Sequence, residues 1–270
     1  MRSLVLASFF AAMLFGLGLA SPGAAMADQL VKFPAASAGK SGSPAGFGIQ
    51  GYLSKPKGDG PFPAVVVLHS CLGMRADRRT IESRLAGWGY VSLVVDDFAT
   101  RGLNETCTVD FPEGLSDAFG GLAYVAGLSY VDKTRIAALG YSQGAATALQ
   151  VASLGAKSGF AIPDGVKFKA AATYYPGCAG LPGAKLQVPT LILVGAADTV
   201  TPAVDCERLA QGQRSGEVKL VVYPGAGHVF DDPAFAGGKS LMNMWLEFDP
   251  KAAAQSQSAL HDFLAAKLGR

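Results

Sequence analysis

Residues 135–154 read RIAALGYSQGAATALQVASL, and the prediction of the fold begins from this stretch. Its first five residues form a short, mostly apolar run that predicts a buried strand, and its last twelve predict an apolar helix. Between them Gly140–Gly144 matches the pattern G-x-S-x-G. In a sharp turn from strand to helix this pattern holds the serine hydroxyl above the sheet, and its glycines relieve a crowded backbone. Ser142 is therefore a candidate nucleophile where a strand ends.

The same alternation of strand and helix continues on both sides of this stretch. Strands are predicted at 47–53, 64–68, 90–95, 135–139, 169–175, 190–194 and 218–223. Helices are predicted at 77–88, 115–128, 143–154, 202–213 and 252–267. Buried strands that alternate with helices are typical of a mostly parallel sheet covered on both faces. We predict one α/β domain over residues 28–270.

Two segments are less clear. Residues 28–44 are rich in alanine, glycine and serine, and they are either a loose arm or a weak edge strand. Residues 239–248 contain Met242, Met244 and Trp245 and are open to three interpretations: a lid, an interface or ordinary core. Of these we favour core.

The composition excludes several classes of protein. Of 270 residues, 50% are hydrophobic and only 16% are charged, which excludes a disordered chain. The net charge is +2, and the sequence contains no lysine or arginine run, so no nucleic-acid partner is expected. No C-x-x-C pair occurs among the four cysteines, and His228 and His261 lie far from all of them in sequence. A zinc site is therefore not expected.

The first 27 residues have the pattern of an export signal. A short basic start is followed by the uncharged apolar run 4–20, and Ala25-Met26-Ala27 matches a signal-peptidase site. We predict cleavage after Ala27 and a periplasmic or secreted mature chain. The alternative is an uncleaved membrane anchor, but the run is shorter than the roughly 20 residues that span a bilayer.

A serine nucleophile needs a base, and the chain offers three histidines. In sites built on such a turn the order along the chain is serine, acid, histidine, which disfavours His69 because it precedes Ser142. His261 lies in the predicted last helix. His228 follows the strand at 218–223 in a glycine-rich loop, at the same edge of the sheet as the serine. We predict His228 as the base.

The acid is expected between the serine and the histidine, after another strand. Asp198 follows the strand at 190–194 and is our candidate for the group that orients the imidazole. Its alternative role is to cap the helix at 202–213. Asp205 and Glu207 lie inside that helix and fit less well.

An oxyanion intermediate needs backbone donors. One is expected from the N–H of Gln143, the residue after the nucleophile, and the other from the loop 69–73 that follows an earlier strand. Cys71 N–H is the first candidate there and Leu72 N–H the second, with His69 shaping the loop. Four aromatic residues near these positions are read equally as pocket wall or as core: Phe98, Tyr141, Tyr175 and Phe230.

Taken together, the motifs resemble the dienelactone hydrolase family of α/β-hydrolases. The resemblance runs from about residue 47 to the last helix, and its strongest parts are YVDKTRI at 130–136, GYSQG at 140–144, GAAD at 195–198 and PGAGH at 224–228. It implies an α/β-hydrolase fold, with a mostly parallel central sheet and helices on both faces. It also implies cleavage of carboxylic esters or lactones without a metal or organic cofactor.

The chain departs from the dienelactone enzymes at three places. They use a cysteine nucleophile where this chain has Ser142, and an acidic residue in the loop where it has His69-Ser70-Cys71. They place an arginine after the histidine, where residues 229–232 read VFDD. Arg101 lies near the family's other carboxylate-binding arginine, so the resemblance implies a substrate contact there. The chain is more similar to an exported branch with a serine nucleophile.

Four cysteines in an exported chain suggest two disulfides, for which three connectivities are open. The exported branch that the chain resembles implies the pairs Cys71–Cys107 and Cys178–Cys206. Each pair would join loops that follow neighbouring strands. The alternatives are four buried free thiols, or Cys71 itself as a nucleophile.

We therefore expect Ser142, His228 and Asp198 to hydrolyse a small-molecule ester or lactone through an acyl-enzyme. The chain is expected to be a monomer without a nucleic-acid partner, and without a membrane partner once the signal is removed. Two alternatives stay open: an exported binding protein without turnover, and an acyltransferase that uses an acceptor other than water.

Overall fold

The computed structural model describes residues 29–37, 46–109, 111, 113–155, 159–213 and 217–269, without the side chains of 76–79. The predicted signal peptide, residues 1–27, lies outside the described residues. The strands are β1 Gln29–Pro34, β2 Gly48–Ser54, β3 Phe62–Leu68, β4 Val91–Asp96, β5 Val131–Tyr141, β6 Ala170–Tyr174, β7 Thr190–Gly195, β8 Val218–Tyr223, β9 Lys239–Leu241 and β10 Met244–Leu246. The helices are α1 Ala76–Gly87, α2 Gly114–Ala126, α3 Gln143–Leu154, α4 Ala203–Gln211 and α5 Pro250–Leu268.

Eight strands form one twisted sheet in the order β1-β2-β4-β3-β5-β6-β7-β8. The pairs β1–β2 and β2–β4 are antiparallel, and all pairs from β4 to β8 are parallel. The predicted α/β architecture is confirmed. Residues 29–34 form the edge strand that was one of two interpretations of this segment, because alternate side chains such as Val31 and Phe33 are buried.

The sheet is buried on both faces, and β3 shows how. Val65 and Val67 pack with α1 and α5, whereas Ala64, Val66 and Leu68 pack with α2 and α3 on the opposite face. This alternation follows from the two-residue period of a strand. It explains why the sequence of β3 is continuously apolar rather than alternating.

The last helix, α5, has a clear start signal. The Asp249 side chain accepts the N–H groups of Lys251 and Ala252, and Pro250 occupies the first helical position. Buried α5 side chains such as Leu260 and Leu264 then pack on the sheet. Within the described ranges, no helix combines the length and apolarity that a membrane crossing needs.

Residues 239–248 do not form ordinary core. Lys239–Leu241 and Met244–Leu246 pair as a two-stranded hairpin, and a bridge joins Leu246 to His228. Leu246 is buried, but Met242 and Trp245 are 41% and 51% exposed. The core interpretation is therefore wrong for these two residues, because they lie at the turn and on the outer face of the hairpin, whereas Leu246 is buried and Leu241 and Met244 pack partly buried against the core.

Candidate active site

Ser142 lies at the sharp turn between β5 and α3, as the G-x-S-x-G pattern predicts. Its backbone has φ 51° and ψ −113°, a conformation that side chains other than glycine rarely adopt. A Cβ atom on Gly140 would overlap the Gly144 carbonyl group, and one on Gly144 would overlap the carbonyls of Leu68 and His69. Both glycines are required because β3, β5 and α3 meet here almost backbone to backbone.

Ser142, His228 and Asp198 form one hydrogen-bonded chain. Ser142 Oγ lies 3.0 Å from His228 Nε2, and His228 Nδ1 lies 2.8 Å from Asp198 Oδ2. The carboxylate can only accept, so Nδ1 carries a proton and Nε2 is left to accept the serine proton. The three loops that follow β5, β7 and β8 bring these residues together, because the carboxyl ends of parallel strands share one edge of the sheet.

Asp198 is held by its own loop as well as by the imidazole. Its Oδ1 accepts the N–H groups of Val200 and Thr201, both at 2.8 Å. Burial opposes ionisation, but the bonds from His228 and Thr201 outweigh it and lower the pKa of Asp198 below its ordinary value. The alternative role as a helix cap does not apply, since α4 begins after Pro202 without a side-chain cap.

Two residues support the site in ways that were not predicted from the sequence: no role was predicted for Thr201, and Tyr175 was predicted only as pocket wall or core. Thr201 Oγ1 lies 2.9 Å from Asp198 Oδ2 and 3.1 Å from the Tyr175 carbonyl oxygen. The Tyr175 ring packs edge-on against His228 with 4.7 Å between centroids, and its hydroxyl donates to Asp231. The cluster of aspartate and threonine at 198–201 is the only signal that pointed towards Thr201.

The loop that carries the expected oxyanion donors is tied to its neighbours. Cys71 is disulfide-bonded to Cys107, and its carbonyl accepts the N–H of Thr106 at 2.8 Å. The Thr106 hydroxyl also donates to Gln143 Oε1 at 2.9 Å. One buried residue therefore links both candidates, Cys71 and Gln143. The Leu72 N–H lies 3.3 Å from Ser70 Oγ, which makes Leu72 the weaker candidate.

A small cavity opens at Ser142 Oγ. It is lined by Ser70, Cys71, Leu72, Ser142, His228, Val229, Met244 and Leu246. Its lining is mostly apolar, and two of the lining residues, Met244 and Leu246, belong to the β9–β10 hairpin. No local sequence pattern predicted that this hairpin would lie at the site.

The aromatic residues offered as pocket walls are core instead. Tyr141 stacks on Tyr174, and Phe230 packs against Tyr174, Tyr175 and Tyr223 beneath the site. Phe98 is buried with its ring at the His69 ring. Tyr175 touches His228 but does not line the cavity.

Arg101 does not face the cavity either. Its guanidinium binds the buried Asp117 carboxylate through two nitrogens, at 2.9 and 3.0 Å, and also donates to the Asp97 carbonyl. The ring of Phe47 lies beneath it, 4.6 Å from the guanidinium carbon. The implied substrate contact is thus corrected, because a guanidinium paired with a buried carboxylate is not available to a substrate anion.

Replacement of Arg101 by methionine is expected to lower the free energy of unfolding by about 3–5 kcal/mol, since Asp117 would keep a buried charge without its partner. Urea unfolding of the oxidised protein measures this. Arg208→Met is the control, because its pair with Asp205 is largely exposed and little change is expected. An unchanged stability together with a raised KM for anionic esters would restore the substrate-binding role.

The structure contains the disulfides Cys71–Cys107 and Cys178–Cys206, the pairing that the resemblance implied, and no free cysteine. They close intervals of 36 and 28 residues.

Replacing both cysteines of either disulfide by alanine is expected to lower the free energy of unfolding by about 3–4 kcal/mol, because the unfolded chain gains loop entropy. Only loss of Cys71–Cys107 is expected to lower kcat as well, because it frees the loop at the cavity. Denaturation and steady-state kinetics of the two double variants test this, and equal kcat values would contradict it.

Comparison with known proteins agrees with this architecture. The sequence model of the dienelactone hydrolase family matches residues 49–268. A relative from Methylorubrum extorquens, named "Putative carboxymethylenebutenolidase", is 26% identical over 228 residues and covers 74% of this chain and 77% of its own length. One of the same name from Synechocystis is 27% identical over 230 residues, covering 73% and 88%.

Solved structures show the same fold. A dienelactone hydrolase-like promiscuous phosphotriesterase from metagenomic libraries superposes with a TM-score of 0.70 at 21% identity, covering 92% of this chain and all of that one. A dienelactone hydrolase from Anabaena variabilis gives a TM-score of 0.57 at 19% identity, covering 87% and 99%. At these identities the likeness establishes the α/β-hydrolase fold.

Proposed function

Since the chain belongs to the dienelactone hydrolase family, whose members act on esters and lactones, we propose that it hydrolyses a carboxylic ester or lactone through an acyl-enzyme on Ser142. The observation that carries this proposal is the chain of contacts from Ser142 Oγ to His228 Nε2, at 3.0 Å, and from His228 Nδ1 to Asp198, at 2.8 Å. It supplies a nucleophile, a base and a group that orients the base.

In the first half of the reaction Ser142 Oγ attacks the carbonyl carbon while its proton passes to His228 Nε2. The carbonyl oxygen becomes an oxyanion, for which the N–H groups of Cys71 and Gln143 are the proposed donors. Collapse of the intermediate breaks the bond to the leaving oxygen, which takes the proton from His228. A lactone would keep this alcohol attached to its acyl chain.

In the second half a water molecule gives a proton to His228 and attacks the acyl carbon. Collapse of this intermediate releases the acid and returns the proton to Ser142. Asp198 stays ionised through both halves and stabilises the imidazolium that forms twice. None of these steps requires a metal or organic cofactor.

We further propose that the working form is the single domain 28–270, exported after removal of residues 1–27. The two disulfides support this location, because such bonds persist in oxidising compartments.

The experiment is an intact-mass measurement after incubation with a small fluorophosphonate, followed by peptide mapping. Such a reagent labels a serine that a base has activated. One adduct on the peptide with Ser142, and none on that with Ser70, is expected. Ser70 is the matched control because it lines the same cavity, while its hydroxyl oxygen accepts the Leu72 N–H. No adduct on the folded protein would favour a binding protein without turnover.

Product analysis with an added alcohol distinguishes hydrolysis from acyl transfer. Free acid as the main product is expected for a hydrolase, and an ester of the added alcohol would make the chain an acyltransferase.

A further inference from the structure

A second histidine is buried beside the active site, and the proposed mechanism does not use it. His69 directly follows β3 and is 5% exposed. It directly precedes Ser70 and Cys71, which line the cavity. Its Nδ1 lies 2.8 Å from the Ser70 carbonyl oxygen, and its Nε2 lies 2.7 Å from Asp97 Oδ1. Both neighbours are oxygen atoms that can only accept, so a ring with a proton on each nitrogen turns no lone pair towards either of them.

The Ser70 carbonyl has a second donor, the N–H of Gly73 at 3.0 Å. The Ser70–Cys71 peptide is trans, so its N–H points opposite to its C=O. With the carbonyl turned to His69 and Gly73, the Cys71 N–H is directed away from them. Cys71 itself lines the cavity at Ser142. The position of the Ser70 carbonyl therefore controls where this proposed oxyanion donor points.

The charges around His69 come from the end of β4 and the residue that follows it. Asp97 contacts the ring, Asp96 adds a more distant negative charge, and Phe98 contributes only a ring, 4.5 Å away between centroids. Arg101 binds the backbone carbonyl of Asp97. Burial acts to lower the pKa of His69, but the charge of Asp97 and the hydrogen bonds outweigh it, so the pKa lies above 6.5.

We propose that His69 is a positioning residue: its doubly protonated ring, held by Asp97, fixes the Ser70 carbonyl so that the Cys71 N–H faces the oxyanion. This inference rests on the proposed function. Loss of one proton would leave the remaining proton on Nε2, which faces the Asp97 carboxylate, and the lone pair of Nδ1 facing the Ser70 carbonyl oxygen at 2.8 Å, a repulsive contact. The ring would then shift and release the Ser70 carbonyl.

The sign of the pH dependence follows. Protonation holds the loop in place below the raised pKa of His69, and the effect is lost as the pH rises through that value. Hydrolysis should therefore fall as the pH rises through the raised pKa of His69. Because asparagine at position 97 would lack the negative charge that raises the pKa of His69, Asp97→Asn should move the falling limb to lower pH.

The experiment measures kcat and KM from about pH 5 to about pH 10 for the wild type, Asp97→Asn, His69→Gln and the control His261→Gln. His261 lies on α5 against Trp88 and takes no part in the site. We expect the falling limb to move in Asp97→Asn and to vanish in His69→Gln. In His69→Gln kcat should fall at least about tenfold with little change in KM, and by no more than the roughly 10²–10³ lost when an oxyanion donor is removed.

An unmoved falling limb in Asp97→Asn, or a wild-type kcat in His69→Gln, would overturn the inference. If Ser142→Ala keeps its activity, the proposed function fails instead, so the two failures are distinct.

A second measurement does not depend on turnover. The chain has three histidines, and long-range ¹H–¹⁵N spectra of the inactive Ser142→Ala protein resolve the protonation of each ring. We expect His69 to carry both protons at neutral pH and to lose one at higher pH, and to do so at lower pH in Asp97→Asn. A singly protonated His69 at neutral pH would contradict the proposal even if a variant folds poorly.

Discussion

Replacement of Ser142 by alanine is expected to lower kcat for ester hydrolysis by about 10⁵- to 10⁶-fold. The change removes the proposed nucleophile, while the proposed backbone donors and the cavity stay in place. Residual catalysis through those donors should still exceed the reaction in water. Steady-state kinetics with an activated ester measure the loss, with circular dichroism to show that the fold is intact.

Ser153→Ala is the matched control for this substitution. Ser153 lies at the other end of the same helix, α3, and its hydroxyl bonds only the local Gln150 carbonyl in the contacts described. Its kcat should equal that of the wild type. Turnover by Ser142→Ala at the wild-type rate would remove the acyl-enzyme mechanism from consideration.

Replacement of Asp198 by asparagine is expected to lower kcat by about 10⁴-fold. Asparagine fills the same space, but its amide no longer requires His228 to keep the proton on Nδ1. The histidine can then present Nε2–H to Ser142, and a protonated Nε2 cannot accept the serine proton. KM should change little, because Asp198 is buried behind the histidine and does not line the cavity.

The lowered pKa of Asp198 adds a pH dependence to this prediction. The carboxylate stays ionised below its ordinary range, so its contribution is present at neutral pH and is lost only as the pH falls through the lowered value. Asp205→Asn is the control, since Asp205 pairs with Arg208 on the surface of α4. A loss of kcat below about tenfold in Asp198→Asn would show that His228 is oriented by another group.

Local pattern was enough to predict most of the architecture. Strands such as β3 are continuously apolar because both faces are covered, and the predicted strands agree with the observed ones within a few residues except β5. The observed strand begins at Val131 and not at residue 135. The prediction missed its first part because residues Asp132–Arg135 are polar. The hairpin at 239–246 was missed because each of its strands has only three residues.

The sequence was sufficient to predict which residues could be the nucleophile, the acid and the base. Ser142, Asp198 and His228 each follow a strand of the parallel part of the sheet, and parallel strands bring their carboxyl ends to one edge. This inference needs only local apolar runs and the order of elements, which are written along the chain. The glycines beside Ser142 are explained in the same way, by a turn that must be tight.

The contacts of the side chains around these three residues are known only from the tertiary structure. Arg101 pairs with Asp117, 16 residues away, and Thr106 reaches Gln143, 37 residues away. Met244 enters the cavity from a hairpin beyond the last strand of the sheet. Such contacts depend on where the folded backbone places segments that are distant in sequence. No periodicity records that placement, because it results from packing the whole core.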